Sequence, residues 1–416
     1  MPVPLRNPRF ARFWAANAAS TLGSGLALSA FLLLAVRVLH AGPAAVGALA
    51  ATGAAVGAAL AVPLGPWVER RRKRPVMVAA DLFRCLALLS VPAAYALGRL
   101  GFAQLLVVAV LVATADIAFT AAAGACLKAL VPPAELLCAN ARLEATSWTA
   151  IVVGPPLGGA AVGLFGPAVT VVADAVSYLL SALGLGSIGR EAPAPSPSPP
   201  AEPRLRAADL LDGWRWILAD PALRPLFANT VLFNALLLAT EPLLVLLLVG
   251  RLHFSPVQFG LTLALPCLGG LLGSRLSRRL VARFGERRVL VTTGMVRGCF
   301  PLWLAFAGPG RSGQLLVMEL QFAMICAIGA FNPVLATYRL NRIPTDRIAR
   351  TLTAWSVTTK ATTAALTALW GLLATLTGPR AGLALAGLLL LPTGALLRRV
   401  TTPQVTAPAA DLRPAG

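Results

Sequence analysis

Long apolar runs alternate with short polar segments along almost the whole chain. A bilayer core of about 30 Å requires about 20 helical residues at a rise of 1.5 Å each. Twelve runs reach that length, with approximate bounds 11–36, 44–66, 76–98, 103–128, 144–164, 168–189, 223–249, 257–276, 288–308, 313–337, 352–376 and 380–397. The runs are continuous rather than alternating, so they predict transmembrane helices and not the strands of a barrel.

The composition also indicates a polytopic membrane protein. Of the 416 residues, 57% are hydrophobic and 12% are charged, whereas a soluble domain is about 25% charged. So few charges could not cover a water-soluble fold of this size. The net charge of +20 does not indicate nucleic-acid binding, because most basic residues lie in short clusters between apolar runs. Soluble enzymes and DNA-binding proteins are thereby excluded, and we expect the lipid bilayer as the surroundings.

A proline-rich segment divides the chain. Residues 191–206 read EAPAPSPSPPAEPRLR, a composition that prevents both a helix and a packed core and so predicts a linker. Residues 207–222 then have apolar side chains at helical spacing, which predicts an amphipathic helix on the membrane surface. We therefore predict an N-terminal six-helix bundle over 1–190, a cytoplasmic linker with that helix over 191–222, and a C-terminal six-helix bundle with a short tail over 223–416.

The two halves repeat each other. LHAGPAAVG at 39–47 matches LHFSPVQFG at 252–260, an offset of 213 residues. The same offset relates further pairs, namely Arg74 and Arg287, Val76 and Val289, Arg84 and Arg297, and Pro8 and Pro221. Duplicated six-helix halves are typical of secondary transporters, in which the halves rock around a central site. The predicted fold class is an all-α membrane protein with twelve transmembrane helices in two pseudo-symmetric six-helix bundles.

The distribution of basic residues predicts the orientation. Most of the 36 Lys and Arg fall in one alternate set of segments between spans, which includes the linker and both tails. The other set contains only Arg37, Arg99, Arg251, Arg311 and Arg380. Because basic segments stay in the cytoplasm, we expect a multi-pass protein of the cell (inner) membrane with both termini cytoplasmic. The N-terminus lacks the features of a signal peptide, so the first span is expected to be retained.

The loop after span two has a distinctive sequence, GPWVERRRKR over residues 65–74. It resembles the signature loop of the major facilitator superfamily, G-x-L-A-D-R-x-G-R-R/K, although Arg72 replaces the second Gly. The matching residues are Gly65, Glu69 in place of Asp, Arg70, Lys73 and Arg74. The resemblance implies a conformational latch, to which we also assign Asp81 and Arg84, an i, i+3 pair in span three. The plain alternatives are positive-inside charge for the loop and a structural salt bridge for the pair.

Other stretches resemble the multidrug and siderophore exporters of that superfamily, the subfamily related to the enterobactin exporter. They are residues 7–24, 81–84, 130–140 and 335–350. Span five also contains GPPLGG, which is similar to the G-P-x-x-G-G antiporter motif of exporters at Gly154, Pro155, Gly158 and Gly159. Many drug–proton antiporters carry a functional Arg within span four, whereas span four here contains Asp116 and no Arg.

Ionisable residues within spans are the candidate functional residues, because a charge at the bilayer centre costs about 2.5–3.5 kcal/mol on insertion scales. Thr230, Asn234 and Glu241 share one face of span seven. Their counterparts in span one include Asn17 and Thr21. Both spans therefore present polar stripes, as helices that line a central cavity would.

In the superfamily, spans one, four, seven and ten line the cavity. Asp116 lies near the middle of span four, and Glu319 lies in span ten. We therefore predict that Asp116 and Glu241 carry protons, because a carboxyl removed from water holds its proton more readily, with Glu319 as a third candidate nearer the outer surface. The alternative is that these acids only join helices by hydrogen bonds.

These observations predict a secondary exporter that exchanges a small organic, amphipathic molecule for protons. We expect it to act as a monomer, without a metal or cofactor, and no Walker A pattern is present to bind ATP. The alternatives are uptake of a solute by the same fold, or a membrane-embedded biosynthetic or sensory protein on this scaffold. An enzyme is not expected, since the sequence has no HExxH, no GxSxG and no Cys-x-x-Cys.

Overall fold

The computed structural model describes residues 7–33, 62–188, 207–254 and 264–400, with positions 39, 56, 59, 60, 258, 261 and 262. The longer helices in these parts are α1 (Pro8–Leu33), α3 (Lys73–Ala96), α4 (Phe102–Leu130), α5 (Leu136–Phe165), α6 (Pro167–Gly186), α8 (Leu223–Val245), α9 (Cys267–Phe284), α10 (Glu286–Leu304), α11 (Gly310–Arg342), α12 (Ile348–Thr377) and α13 (Pro379–Leu390). Shorter helices are α2 (Leu64–Arg70), α7 (Ala207–Ala219) and α14 (Thr393–Leu396).

Each predicted span that falls on described residues coincides with a helix. Within the described part, six helices are long and apolar enough to cross a bilayer. A seventh candidate, α5, is bent by 45° between Gly154 and Pro156, as expected where prolines interrupt the backbone hydrogen bonds. Most of the predicted span over 44–66, the first part of the span over 257–276, and the linker over 191–206 lie outside the described residues.

The sequence repeat has a structural counterpart at the ends of the two halves. Arg74 Nε donates to Leu185 O at 2.8 Å, where α6 ends. Its counterpart Arg287 donates from Nη2 to Arg398 O at 3.4 Å and from Nε to Val400 O at 2.7 Å, just after α14. Leu185 and Arg398 are themselves 213 residues apart. The two arginines therefore bind equivalent helix C-termini, whose carbonyl groups carry partial negative charge.

The two halves are packed together at one end of the bundle, where α1 begins and α11 ends. We call this end the N-terminal face. A single apolar cluster there combines buried side chains of both halves, among them Phe10, Met77, Leu136, Phe331 and Tyr338. At about 25 cal/mol per Å² of buried apolar surface, such a cluster holds the halves together firmly at this end.

The glycine motif of α5 lies against α1. A Cβ added at Gly154 would lie 2.7 Å from the backbone carbon of Gly25, and one at Gly158 would lie 2.1 Å from Leu26 O. A Cβ at Gly159 would meet nothing within 4 Å, and the side chain of Pro155 is outside the described set. Gly154 and Gly158 thus permit the close helix contact that small residues provide in membranes.

Helix α7 packs against α12 at the N-terminal face. Trp214 Nε1 donates to Thr358 Oγ1 at 2.8 Å, and Ile217 is fully buried. Leu211 and Leu218 remain half exposed. The apolar side chains that predict this helix therefore fall into two sets. Trp214 and Ile217 contact the protein, and Leu211 and Leu218 remain accessible from outside.

Candidate functional site

Arg84 lies at the centre of a buried polar network within the N-terminal half. Its guanidinium binds the carboxylate of Asp81, one helical turn earlier in α3. The second oxygen of Asp81 accepts a hydrogen bond of 2.7 Å from Ser181 Oγ of α6. Arg84 Nη1 also lies 3.5 Å from Asp116 Oδ1 of α4. One buried cation therefore joins three helices, which is how charge is usually accommodated within a bilayer.

Aromatic rings complete the surroundings of Arg84. Its guanidinium lies 4.6 Å from the ring centre of Phe119 and 4.4 Å from that of Tyr178. Tyr178 Oη is 2.7 Å from Ser24 Oγ, which lies 3.3 Å from Asp174 Oδ1. The network thus continues from α3 through α6 to α1, and the rings provide cation–π contacts that are strengthened by the exclusion of water.

Asp116 connects this network to the other half of the protein. Lys360 Nζ of α12 donates to Asp116 Oδ2 at 3.2 Å. Both residues lie near the middle of their helices, yet the side chain of Asp116 is 48% exposed and that of Lys360 is 32% exposed. Arg84 and Asp81, by contrast, have side chains that are 5% and 0% exposed. Asp116 is therefore the accessible end of the network, held between one cation from each half.

The predicted latch loop forms a second contact between the halves, at the N-terminal face. Glu69, at the end of α2, pairs with Arg350 of α12, and Arg350 Nη1 binds Asp212 Oδ2 of α7 at 3.1 Å. Lys73 Nζ donates to the backbone oxygens of Val68 at 3.0 Å and Glu69 at 2.6 Å. Burial raises the pKa of Glu69 to about 7, although Arg350 and Lys73 act in the opposite direction.

Glycine permits the close approach at this contact. A Cβ at Gly65 would lie 3.1 Å from Thr353 Cβ and 3.3 Å from Arg350 Cα. Arg70 ends helix α2 beside Glu69. Among the predicted latch residues, the loop thus reaches the opposite half, whereas Asp81 pairs with Arg84 deeper in the bundle, where Arg84 also contacts Asp116.

Further contacts close the N-terminal face. Lys128, near the end of α4, donates to Ile343 O after α11. Asn140 Nδ2 of α5 donates to Thr337 Oγ1 of α11 at 3.0 Å. Glu144 Oε1 accepts hydrogen bonds from Trp148 at 2.9 Å and from Asn332 of α11 at 2.8 Å. Within the described residues, the polar contacts between the halves lie at this face or at mid-height, that is, near the middle of the helices, where Lys360 meets Asp116.

The C-terminal half uses its buried arginine differently. Arg297 Nη2 donates to Asn229 Oδ1 of α8 at 2.7 Å. Its guanidinium lies 4.0 Å from the ring centre of Phe233 and 3.7 Å from that of Phe331. Asn229 Nδ2 in turn donates to Thr393 O at 2.9 Å. In the part of the chain that the structure describes, Arg297 has no acidic partner, in contrast to Arg84.

The other predicted cavity residues are not brought into the Asp116 network within the described region. In α1, Thr21 Oγ1 donates to Asn17 O at 2.7 Å, and Asn17 Nδ2 lies 3.5 Å from Thr21 Oγ1. In α8, Thr230 is buried with no hydrogen-bond partner for its hydroxyl among the described residues, and Asn234 is half-buried.

The two remaining carboxylates are exposed. Glu241 lies in α8 one residue before Pro242. Glu319 of α11 lines a separate recess of about 330 Å³ with Leu265 and Phe322. Of the three proposed carboxylates, only Asp116 forms an ion pair with the opposite half in the described part of the chain.

Sequence reasoning found Asp116 but gave no role to Lys360, Tyr178 or Ser181. A signal was available for Lys360. A lone lysine in an apolar span requires an acid, although the sequence did not specify which of the acids within spans it faces. The hydroxyl partners gave no such signal, since a neutral hydroxyl within a bilayer costs far less than a charge.

A family model described as Major Facilitator Superfamily matches residues 13–358 and 239–414. Comparison of the sequence with curated proteins gives no match. Among the residues that the structure describes, no group of three His, Cys, Asp or Glu side chains is placed to hold a metal ion.

Solved transporters have similar structures. A bacterial homologue of the iron transporter ferroportin, in an outward-facing state, aligns with a TM-score of 0.77 at 18% identity, over 94% of this chain and 99% of that one. The human organic anion transporter MFSD10 (TETRAN) aligns with a TM-score of 0.74 at 17% identity, over 95% and 100%. The E. coli fucose:proton symporter FucP aligns with a TM-score of 0.70 at 13% identity, over 95% and 98%. At these identities the likeness shows the fold.

Proposed function

Because the chain belongs to the Major Facilitator Superfamily, we propose that it exports a small organic, amphipathic molecule in exchange for protons. It is an all-α, multi-pass membrane protein with twelve transmembrane helices in two pseudo-symmetric bundles, and a transporter rather than an enzyme. The observation that carries the proposal of proton exchange is the accessible carboxylate of Asp116, paired with Arg84 of its own half and Lys360 of the other.

Protonation of Asp116 would change the contact between the halves. The ionised carboxylate binds both cations, whereas the neutral acid has no charge to offer Lys360. A proton that arrives at Asp116 therefore releases Lys360 and weakens the mid-height bridge. This links proton binding to the relative movement of the halves, which alternating access requires.

The proton gradient is sufficient to drive export. One elementary charge that moves across about 100 mV gains about 2.3 kcal/mol, enough for a roughly fiftyfold concentration gradient. The closed N-terminal face supports an outward-facing state for this structure, with both termini and the 191–222 segment in the cytoplasm. The close packing of Gly154 and Gly158 on α1 supports the resemblance to exporters, since their antiporter motif has a defined structural use here.

A cationic group on the substrate would bind Glu241 rather than Asp116. Asp116 already has two cationic neighbours, so an external cation would have to displace one of them. Glu241 is exposed and forms no ion pair within the described residues. We therefore assign the proton to Asp116 and the recognition of a substrate charge to Glu241, with Asn234 and Thr230 on the same helical face.

Accumulation assays in cells that lack their own exporters test this function. Dyes, antibiotics and siderophores would be screened with the wild-type protein, and proton release would be followed with a pH-sensitive dye in inside-out vesicles. We expect lower accumulation of at least one compound, reversed by a protonophore. Higher accumulation would instead indicate uptake, the alternative function of this fold.

Variants then separate proton coupling from substrate binding. Asp116→Asn and Lys360→Gln should both abolish pH-driven export while substrate still binds. Glu241→Gln should weaken export of cationic compounds and spare neutral ones. Glu319→Gln is the matched control, because its carboxylate is exposed outside the network, and it should behave as wild type. If export by Asp116→Asn and by the Asp116→Asn, Glu241→Gln double variant has an unchanged pH dependence, other residues must couple export to proton movement.

A further inference from the structure

A groove of about 800 Å³ lies between the two halves near the N-terminal face, apart from the latch loop and the Asp116 network. One wall is the turn that leads into α5 and the first residues of that helix, with Glu135 and Leu137, and the other is α9, with Leu272 and Arg275. The groove is therefore a surface that neither half forms by itself.

Three arginines give the groove its charge. Arg275, Arg278 and Arg279 are spaced i, i+3 and i+4, so they lie on one side of α9, and all three are exposed and line the groove. None of them forms an ion pair within the described part of the chain. Glu135 is the acidic residue on the opposite wall. The groove thus carries a net positive charge that no protein group in the described region neutralises.

The same helix changes from apolar to basic along its length. Leu268 and Leu272 precede Arg275 and Arg279 at positions i, i+4, i+7 and i+11, which form one stripe. The two leucines are each 44% exposed. At 1.5 Å per residue, Arg275 and Arg279 lie about 10–16 Å along the axis from Leu268, the scale that separates lipid headgroups from the acyl chains. Positive-inside charge explains the sign of these residues but not their position on a concave surface shared by both halves.

We propose that this groove binds an anionic phospholipid, with its phosphate at Arg275, Arg278 and Arg279 and its acyl chains along Leu268 and Leu272. Basic recesses between transmembrane helices suit anionic headgroups. Because its walls belong to different halves, the bound lipid favours the conformation in which α5 and α9 are close at the N-terminal face. The inference is independent of the exported substrate.

Native mass spectrometry of the purified full-length protein tests the proposal. The protein would be titrated with phosphatidylglycerol, with phosphatidylcholine, and with phosphatidylglycerol in the presence of excess inorganic phosphate. We expect one tightly retained phosphatidylglycerol, no equivalent retention of phosphatidylcholine, and little competition by phosphate, since free phosphate lacks the apolar half of the site.

Variants of the groove residues test whether the charge of the groove determines its affinity for phosphatidylglycerol. Arg275→Gln with Arg279→Gln should lower phosphatidylglycerol affinity by about 25-fold, at roughly fivefold per basic residue near the surface. Glu135→Gln removes the opposing carboxylate and should raise the affinity. Arg398→Gln with Arg399→Gln makes the same charge change at two other exposed arginines of this face and should have no effect. Equal retention of both lipids, or equal losses in both double variants, would overturn the proposal, and displacement by phosphate would reduce it to a simple anion site.

Discussion

The N-terminal face should open as the pH rises from 5 to 8, because Glu69 is buried there when the halves are in contact. Burial raises the pKa of Glu69 from 4.5 to about 7 in the closed form. In an open form the carboxyl would be hydrated and would recover its ordinary pKa. The closed form therefore binds the proton more tightly, so its stability is fully present below about pH 4.5 and is lost as the pH rises through about 7.

The size of the effect follows from that difference in pKa. The side chain of Glu69 is only 7% exposed, so solvent screens it weakly. A shift of about 2.5 units at 1.36 kcal/mol per unit corresponds to about 3 kcal/mol, or roughly a 300-fold change in the ratio of closed to open forms over the whole titration range. Arg350 and Lys73 favour the ionised carboxylate and Asp346 opposes it, but burial is the largest influence.

Distances between spin labels at the N-terminal face would measure this change. Labels at Arg72→Cys and Thr345→Cys, both exposed and in opposite halves, would be placed in a protein that lacks the six native cysteines and carries Asp116→Asn, so that proton binding at Asp116 does not contribute. We expect a longer mean distance at pH 8 than at pH 5. Glu69→Gln, which mimics the protonated acid, should keep the short distance at both pH values.

Glu286 provides the matched control. Burial also raises the pKa of Glu286 to about 7, at the start of α10, but this carboxyl forms no ion pair with the other half in the described part of the chain. Glu286→Gln should leave the pH response of the labels unchanged. A distance that is the same from pH 5 to 8 in the labelled protein with Glu69 intact, or a Glu69→Gln protein that gives the same pH response as that protein, would refute the assignment of this response to Glu69.

Two further predictions concern packing and orientation. Gly158→Ala should lower the thermal unfolding temperature, since its Cβ would overlap the backbone of α1 at 2.1 Å and overpacking costs about 1–3 kcal/mol; Gly159→Ala, which faces open space, should match wild type. Reporter fusions after Gly166 should signal the outside and fusions within 193–200 the cytoplasm, and an outside signal from the latter would contradict the topology.

Helix identity was predictable from the sequence, whereas helix length was not. The run over 144–164 marks the apolar part of a helix that extends from Leu136 to Phe165, and the run over 313–337 marks part of Gly310–Arg342. Apolarity reports the thickness of hydrocarbon that a helix crosses. The helix itself continues into polar surroundings and ends where the backbone leaves the helical conformation, as at Gly166, which has a φ of 83°.

The candidate site was predictable only where the signal was local. Asp81 and Arg84 are three residues apart, so their pairing follows from helix geometry. Asp116 and Lys360 are 244 residues apart in the chain. Their contact depends on how the two halves pack, which hydrophobic periodicity does not specify. The cost of charge within a bilayer identified each residue as unusual, but the sequence could not state which cation faces which acid.

The two repeated arginines differ in the charge of their partners. Arg84 and Arg297 occupy equivalent positions and both lie between aromatic rings. Arg84 is surrounded by carboxylates, whereas Arg297 binds the neutral amide of Asn229. A neutral partner fixes an arginine at any pH, but a carboxylate partner makes the contact depend on a proton. The repeat thus contains two buried cations, and among the described residues only Arg84 has carboxylate partners. Asp116 alone among those acids also reaches Lys360, so under the proposed function a proton bound there would act on the boundary between the halves rather than within one of them.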